Sequence, residues 1–323
     1  MFAKRNGGRV REKLFRLVIA SDLHGSTLCL RKLLTAGERY EADAIVVAGD
    51  LTGKMIIPIV KDADGYECAY REGVTHLEGA EVPVLKEQLE NGGLYPYVTD
   101  TEEVEHFREH PDEVERIFRG LMVDRISDWT ELIEKRLAGT ERELVIIPGN
   151  DDYEEIDTVL DRPPAIRMLH ERVGVLGEHY GLLGLGFANT TPWHAPRDVP
   201  EEVLAERLAG LAGRLDHPER SVFVIHAPPY GTSIDRALEI DENLVPSSSG
   251  ATMHVGSQAV RDAIEQWQPL LSVHGHVHES GGLVRVGRTK AINPGSEYGQ
   301  GILRGAIVNL TADSVKSHMF FSG

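Results

Sequence analysis

Asp22 and His24 stand two residues apart directly after an apolar run, and the same spacing returns near the other end of the chain in His276 and His278. Between these pairs come Gly49-Asp50, Gly149-Asn150-Asp151 and His226, each again following a short run of apolar, largely β-branched residues. Imidazole and carboxylate together suit zinc, manganese, iron and their neighbours, and the lack of cysteine ligands argues against a closed structural zinc site. An amide such as Asn150 is a poor ligand alone. Beside a strongly bound ion its oxygen completes a shell without adding charge, so the donor set fits two divalent metals that share ligands. The x between the members of each pair puts both side chains on one side of an extended segment.

Something must bring these groups together. The apolar runs at 14–20, 44–48, 144–147, 221–225 and 271–273 read as buried strands, and the candidates sit just after their ends, where loops can aim side chains into a cleft. Helical spacing at 28–34, 201–211 and 257–267 falls between them. A single Asp or His at a strand end is an ordinary cap. Seven metal-competent side chains arriving in order at the ends of five strands are not an ordinary coincidence. The glycines before Asp50, Asn150 and His276 are expected to let the backbone turn sharply there. From 282 to 320 short runs separated by turn residues predict an antiparallel meander, so an α/β unit carries a β-rich tail.

The order D-x-H, G-D, G-N, H, G-H-x-H resembles the calcineurin-like metallophosphoesterase family, over residues 14 to about 305. The resemblance implies a four-layer α/ββ/α sandwich of two packed mixed sheets. It implies that Asp22, His24, Asp50 and His278 hold one metal and that Asp50, Asn150, His226 and His276 hold the other, with Asp50 bridging. Two divalent ions follow as cofactors, from among manganese, iron, zinc and nickel, with manganese the expected ion in vitro. The implied reaction is hydrolysis of a phosphodiester or phosphomonoester by in-line attack of a metal-bridging hydroxide. One position departs from the family: Asp151 stands where G-N-H has the histidine that steadies the transition state and protonates the leaving group. Similar G-N-C-D and G-N-D variants occur among small bacterial and archaeal phosphoesterases that this chain resembles, also around His226-Ala227-Pro228-Pro229-Tyr230-Gly231-Thr232. The Leu51-Thr52-Gly53 that follows Asp50 is unlike the V-D-R-G of protein serine/threonine phosphatases, and no tyrosine ligand sits near Asp50 as in purple acid phosphatases. Asp50, Asn150, Asp151 and His254 are taken as the residues acting in catalysis, His254 from a Ser/Gly-rich loop beside the last helix. The alternative is a non-catalytic metal-binding scaffold or interaction subunit on the same fold. An intact ligand set favours the hydrolase.

The rest of the chain sets limits. It has 323 residues, with 34 Lys and Arg against 51 Asp and Glu, a net charge of −17 that disfavours a sequence-independent grip on nucleic acid. A small phosphorylated substrate is the expected partner. Cys29 and Cys68 form no metal or redox pattern, which points to a reducing compartment. The basic lead before residue 14 is only superficially like a secretory signal, because Arg16 interrupts the apolar run and no cleavage site follows. A soluble, cytoplasmic protein without a membrane span is expected. One domain over 1–323 is expected, with an insertion at about 54–140 made of an irregular β excursion at 54–91 and an amphipathic helix or two at 111–138. His274 is read as orienting a ligand through its second ring nitrogen, His194 as a loop residue with a substrate-facing role as the lesser alternative, Gly184-x-Gly186 as a tight β turn, the acidic run 100–115 as a solvated helix face, and Ser247-Ser248-Ser249-Gly250 as a mobile loop or an active-site rim.

Overall fold

The computed structural model describes residues 14–70, 73–240 and 250–323. The basic lead and Ser247 to Ser249 lie outside them. Successive apolar residues along every central strand point to opposite faces, and that alternation builds the layers. Strands β1 (Phe15–Ala20), β2 (Ala44–Ala48), β7 (Glu143–Ile147) and β8 (Ile166–Met168) run parallel, and β19 (Arg304–Thr311) and β20 (Ser314–Ser322) close the sheet antiparallel in the order β20-β19-β1-β2-β7-β8. A second sheet has the order β17-β18-β16-β13-β10-β9, formed from β9 (Arg172–Leu176), β10 (Tyr180–Leu185), β13 (Ser221–Ile225), β16 (Leu271–Val273), β17 (Gly282–Val286) and β18 (Thr289–Asn293). Its β10, β13, β16 and β18 are mutually parallel.

One set of side chains joins the sheets face to face: Leu17, Ile19, Val46 and Val145 from the first meet Leu182, Val224 and Val273 from the second. The alternate residues face outward. Val18, Ile45, Val47 and Ile146 pack under α1 (Thr27–Arg39) and the second half of α4 (Pro111–Leu137). Leu183, Phe223 and Ile225 pack under α6 (Glu201–Ala212) and α7 (Gln258–Trp267). This is the α/ββ/α sandwich of two mixed sheets expected from the sequence. Parallel strands buried on both faces must read as continuous apolar runs, which is why five of them are visible there.

Local signals set the helix ends. Ser26 caps α1 by accepting from the Cys29 N–H, and Ser257 caps α7 by accepting from Val260. Asp100 does the same for α3 (Thr101–Glu109), an acidic helix with no buried residue, as expected of a solvated face. The stretch at 54–91 is more regular than its glycines suggest. Strands β3 (Ile56–Lys61), β4 (Tyr66–Tyr70), β5 (Gly73–Leu77) and β6 (Tyr95–Asp100) form a separate sheet, and α2 (Val82–Asn91), unforeseen in the sequence, packs on it through Val82 and Leu89. The residues at 111–137 form one unbroken helix, whose Ile126, Trp129 and Ile133 belong to the main core. Cys29 and Cys68 are buried and unpaired. Among the described residues no helix is long and apolar enough to cross a membrane.

Gly184 is no turn residue. It lies inside β10, paired with Val224, in a conformation any residue could adopt, and is needed because a Cβ there would come within 2.5 Å of Leu169 Cγ and 2.6 Å of the Leu169 carbonyl oxygen. Overpacking of this kind costs about 1–3 kcal/mol. Gly184→Ala should therefore lower the urea midpoint with the m-value unchanged; an unaltered midpoint would show that the sheet yields freely there.

Candidate metal centre

All the parallel strands that carry candidate residues end at the same edge of the sandwich. The loops after β1, β2 and β7 bring Asp22 and His24, Asp50, and Asn150 from one sheet; those after β13 and β16 bring His226, and His276 with His278, from the other. The structure gathers all seven. Asp22, His24, Asp50 and His278 have one potential ligand atom each within 4.8 Å of one another. The other three meet at the Asn150 Oδ1, which is 3.0 Å from His226 Nε2 and 2.9 Å from His276 Nδ1. Asp50 stands between the groups, its Oδ2 3.5 Å from His24 Nε2 and its Oδ1 3.4 Å from His226 Nε2.

Backbone contacts fix which ring nitrogens face inward. His24 Nδ1 donates to the Thr52 carbonyl at 3.1 Å and His226 Nδ1 to the Ala48 carbonyl at 2.8 Å, which leaves both Nε2 atoms for the centre. The Asn150 amide is oriented by its own Nδ2, which donates to Asp198 Oδ1 at 3.0 Å, so the oxygen points inward. Asp198 in turn accepts from the N–H groups of Thr191 and Ala195. The Asp22 carboxylate accepts the His276 N–H at 3.0 Å and ties the first loop to the last.

Tight backbone turns do occur here, but not where the glycines suggest. Asp22, His24, Asp50 and His276 themselves have φ of 54°, 41°, 51° and 69°, the left-handed region that costs non-glycine residues energy and clusters at functional sites. Of the three glycines preceding ligands, only Gly49 has a positive φ. Gly149 and Gly275 are required for space: a Cβ on Gly149 would collide with the Asp50 carboxylate, and one on Gly275 with Ser21 Oγ and, at 2.6 Å, Asp22 Oδ2.

The electrostatics suit cations. Burial alone would raise the Asp22 carboxyl, but the hydrogen bond and charge of His278 outweigh it and hold it at about 2. Asp50 is likewise held well below the usual range, burial being overcome by His226 and His24. Burial depresses His24 to about 3 and His276 to about 4, so both are neutral at pH 7 with a lone pair to offer. His226 is lifted to about 10, because the charge and hydrogen bond of Asp50 outweigh burial. His24 Nε2 and His278 Nε2 face each other at 3.0 Å, a contact that needs a proton or a cation between two nitrogen lone pairs. Buried carboxylates, inward-facing imidazoles and an inward amide oxygen fit divalent metals, which would be held by the residues the resemblance implies.

Other expected residues take different places. His274 does not touch a ligand ring; its Nδ1 lies 3.0 Å from the Ile225 carbonyl and 2.9 Å from that of Ala227, so it pins the backbone on either side of His226. His254 belongs to a short strand, β15 (Thr252–His254), paired with β14 (Arg236–Leu238), rather than to a loop. Its Nδ1 is 2.8 Å from Asp235 Oδ1, and its ring shares the wall of a cavity of about 500 Å³ with His276, His278 and Trp193. His194 lines a neighbouring cavity of about 510 Å³ with Asp151. Asp151 donates its N–H to Asp50 Oδ1 at 3.1 Å, and its carboxylate is 2.5 Å from Lys54 Nζ. Burial and the Asp50 charge raise Asp151 to about 6 against the pull of Lys54.

Several functional neighbours leave no readable signal in the sequence. Asp152 is fully buried and accepts from the N–H groups of Leu51, Thr52 and Gly149 and from Thr52 Oγ1, joining the Asp50 loop to the Asn150 loop. Asp235 has no exposed surface and accepts from Gly231, Thr232 and Gly256 as well as His254. Each partner lies far off in sequence or in a segment with no periodicity.

No family model matches the chain. An uncharacterized protein of Methanocaldococcus jannaschii, MJ1162, is 25% identical over 225 residues, which covers 69% of this chain and 86% of that one. A solved crystal structure with 18% sequence identity aligns over 96% of this chain and 99% of its own, with a TM-score of 0.61. The crystal structure of TT1561 of Thermus thermophilus aligns over 96% of this chain and 99% of its own at 16% identity and a TM-score of 0.53. These likenesses concern the whole sandwich, and the signature residues meet at one edge of it. The chain thus shares with these two solved structures one fold, the α/ββ/α sandwich of two mixed sheets.

Proposed function

We propose that the chain is a dinuclear metal-dependent hydrolase of phosphoric esters. The observation that carries this reading is the position of Asp50, one carboxylate oxygen toward His24 and the other toward His226, which is what a ligand shared by two metals requires. Two divalent ions bound there would lower the pKa of a water molecule and neutralise charge on phosphoryl oxygens. The residues of the chain do the rest. Asp22, His24 and His278 complete one set of donors around Asp50, and Asn150, His226 and His276 the other. Burial of Asp22, His24, Asp50, Asn150 and His226, with His276 and His278 half-buried at the rim, excludes water from these groups and strengthens their electrostatic interactions. Manganese is the ion to test first.

Protonation of the leaving group falls to His254 in this reading. The Asp235 carboxylate fixes the Nδ1–H of His254, whose ring borders the cavity shared with His276 and His278 while its Nε2 lies 3.5 Å from Arg236 Nη1, the cation a proton donor here would have beside it. Asp151, raised only to about 6 and ion-paired with Lys54 Nζ, is ionised at neutral pH and has no proton to give. A small phosphorylated substrate and a cytoplasmic site of action complete the proposal. The scaffold alternative predicts bound metal without turnover.

Two results test this. Asp50→Asn should lose both metals and nearly all hydrolysis in elemental analysis and steady-state assays of the manganese-loaded protein; two ions per chain with activity retained would refute the shared ligand. His254→Ala should lower kcat about a hundredfold or more on alkyl phosphodiesters and far less on aryl diesters, whose leaving groups need no proton. Equal losses on both substrates would remove His254 from the acid role.

A further inference from the structure

Lys54 follows Asp50 by four residues on the same loop, and nothing described above assigns it a task. Its side chain is 47% exposed, and its ammonium sits 2.5 Å from Asp151 Oδ2. Asp151 in turn donates its N–H to the Asp50 carboxylate, so the cation is tethered to the residue at the middle of the centre. Lys54 lines both the cavity that holds Asp151 and His194 and the one that holds His254, His276 and His278. Among the described residues lining these two cavities it is the one lysine or arginine. Its charge is close enough to act on His24, Asp50, His278 and Tyr298.

A phosphoester brings its own negative charge to this place. Asp151 alone would repel it, in a position where a histidine would attract it. An ammonium group has three N–H donors; one is engaged by Asp151, and the others are free to reach phosphoryl oxygens. We propose that Lys54, held in place by Asp151, is the substrate-contacting cation of this site, binding the non-bridging oxygens of the phosphoryl group and supplying the charge that a histidine at position 151 would otherwise provide. The proposal rests on the reading of the centre as a phosphoesterase site. Lys54 acts as a fixed charge and transfers no proton, which separates its role from that of His254.

The test uses the manganese-loaded protein with three single variants, Lys54→Met, Lys54→Arg and Asp151→Asn, together with the double variant Lys54→Met/Asp151→Asn. Inorganic phosphate binding by calorimetry is the readout independent of turnover. Lys54→Met should keep its metals and melting temperature, bind phosphate about tenfold or more weakly, as expected for loss of a charge-assisted hydrogen bond, and lose about a hundredfold in kcat/KM. That loss should be the same for aryl and alkyl diesters. Lys54→Arg should restore most of the phosphate affinity, and the double variant should be no worse than Lys54→Met, because the tether has no purpose without the cation. Unchanged phosphate affinity in Lys54→Met with metals retained would overturn the proposal, as would a loss confined to alkyl substrates. A wild type that hydrolyses no phosphoester, yet binds phosphate through Lys54, would overturn the hydrolase reading and leave the role of Lys54 supported.

Discussion

The buried carboxylate of Asp152 holds the centre in shape. It collects the Leu51, Thr52 and Gly149 N–H groups and the Thr52 hydroxyl, and thereby fastens the loop that carries Asp50 to the loop that carries Asn150. Burial and the Asp50 charge push this carboxyl up, and the donors that surround it are what offset the cost of keeping a polar group there. The Asp152 carbonyl accepts from buried Arg197, whose guanidinium also grips Asp157 and the Tyr153 carbonyl. The backbone of Arg197 donates to the Asn150 carbonyl. A network of this kind keeps the ligands in place ahead of any metal, which is the second layer of support that metal sites generally need.

Around that clamp, the strain of the ligand loops becomes intelligible. Four of the candidate ligand residues adopt left-handed backbone. Three of them are locked by hydrogen bonds across loops: Asp22 N–H to the Gly49 carbonyl, His24 N–H to the Asp50 carbonyl, and His276 N–H to the Asp22 carboxylate. The loops therefore specify one another. Removing one of these contacts releases strain in the next, and the centre behaves as a unit rather than as a sum of seven side chains.

Legibility in the sequence follows the range of the interactions involved. β1, β2, β7, β13 and β16 are readable because burial on both faces forces unbroken apolar runs, and the ligands are readable because they sit directly after them. β9 is not, since its burial is irregular, and neither is β8, whose middle residue Arg167 is exposed and breaks the apolar run. α2 is hidden among the glycines of its neighbourhood. Gly149 and Gly275 are visible as important, yet for the wrong reason: the space they leave is occupied by residues far away in the chain, and no local pattern records that. The same is true of Lys54 with Asp151 and of Asp152 with Leu51, pairs about a hundred positions apart whose side chains carry no periodic mark. His254 stands out in the sequence, but its Asp235 partner does not.

The candidate ligands are divided between two sheets, and those sheets meet through the apolar layer that includes Leu17, Ile19, Val46, Val145, Leu182, Val224 and Val273. That layer acts as a spacer. Its thickness sets how far Asp22, His24, Asp50 and Asn150 stand from His226, His276 and His278, even though none of its side chains supplies a ligand atom. Close-packed interiors transmit changes of a single methylene, so volume changes in this layer are felt as a change in the gauge of the site. Ionic radius discriminates among divalent cations, so any preference of the proposed centre for one metal over another would be partly written in residues that have no polar atoms in their side chains.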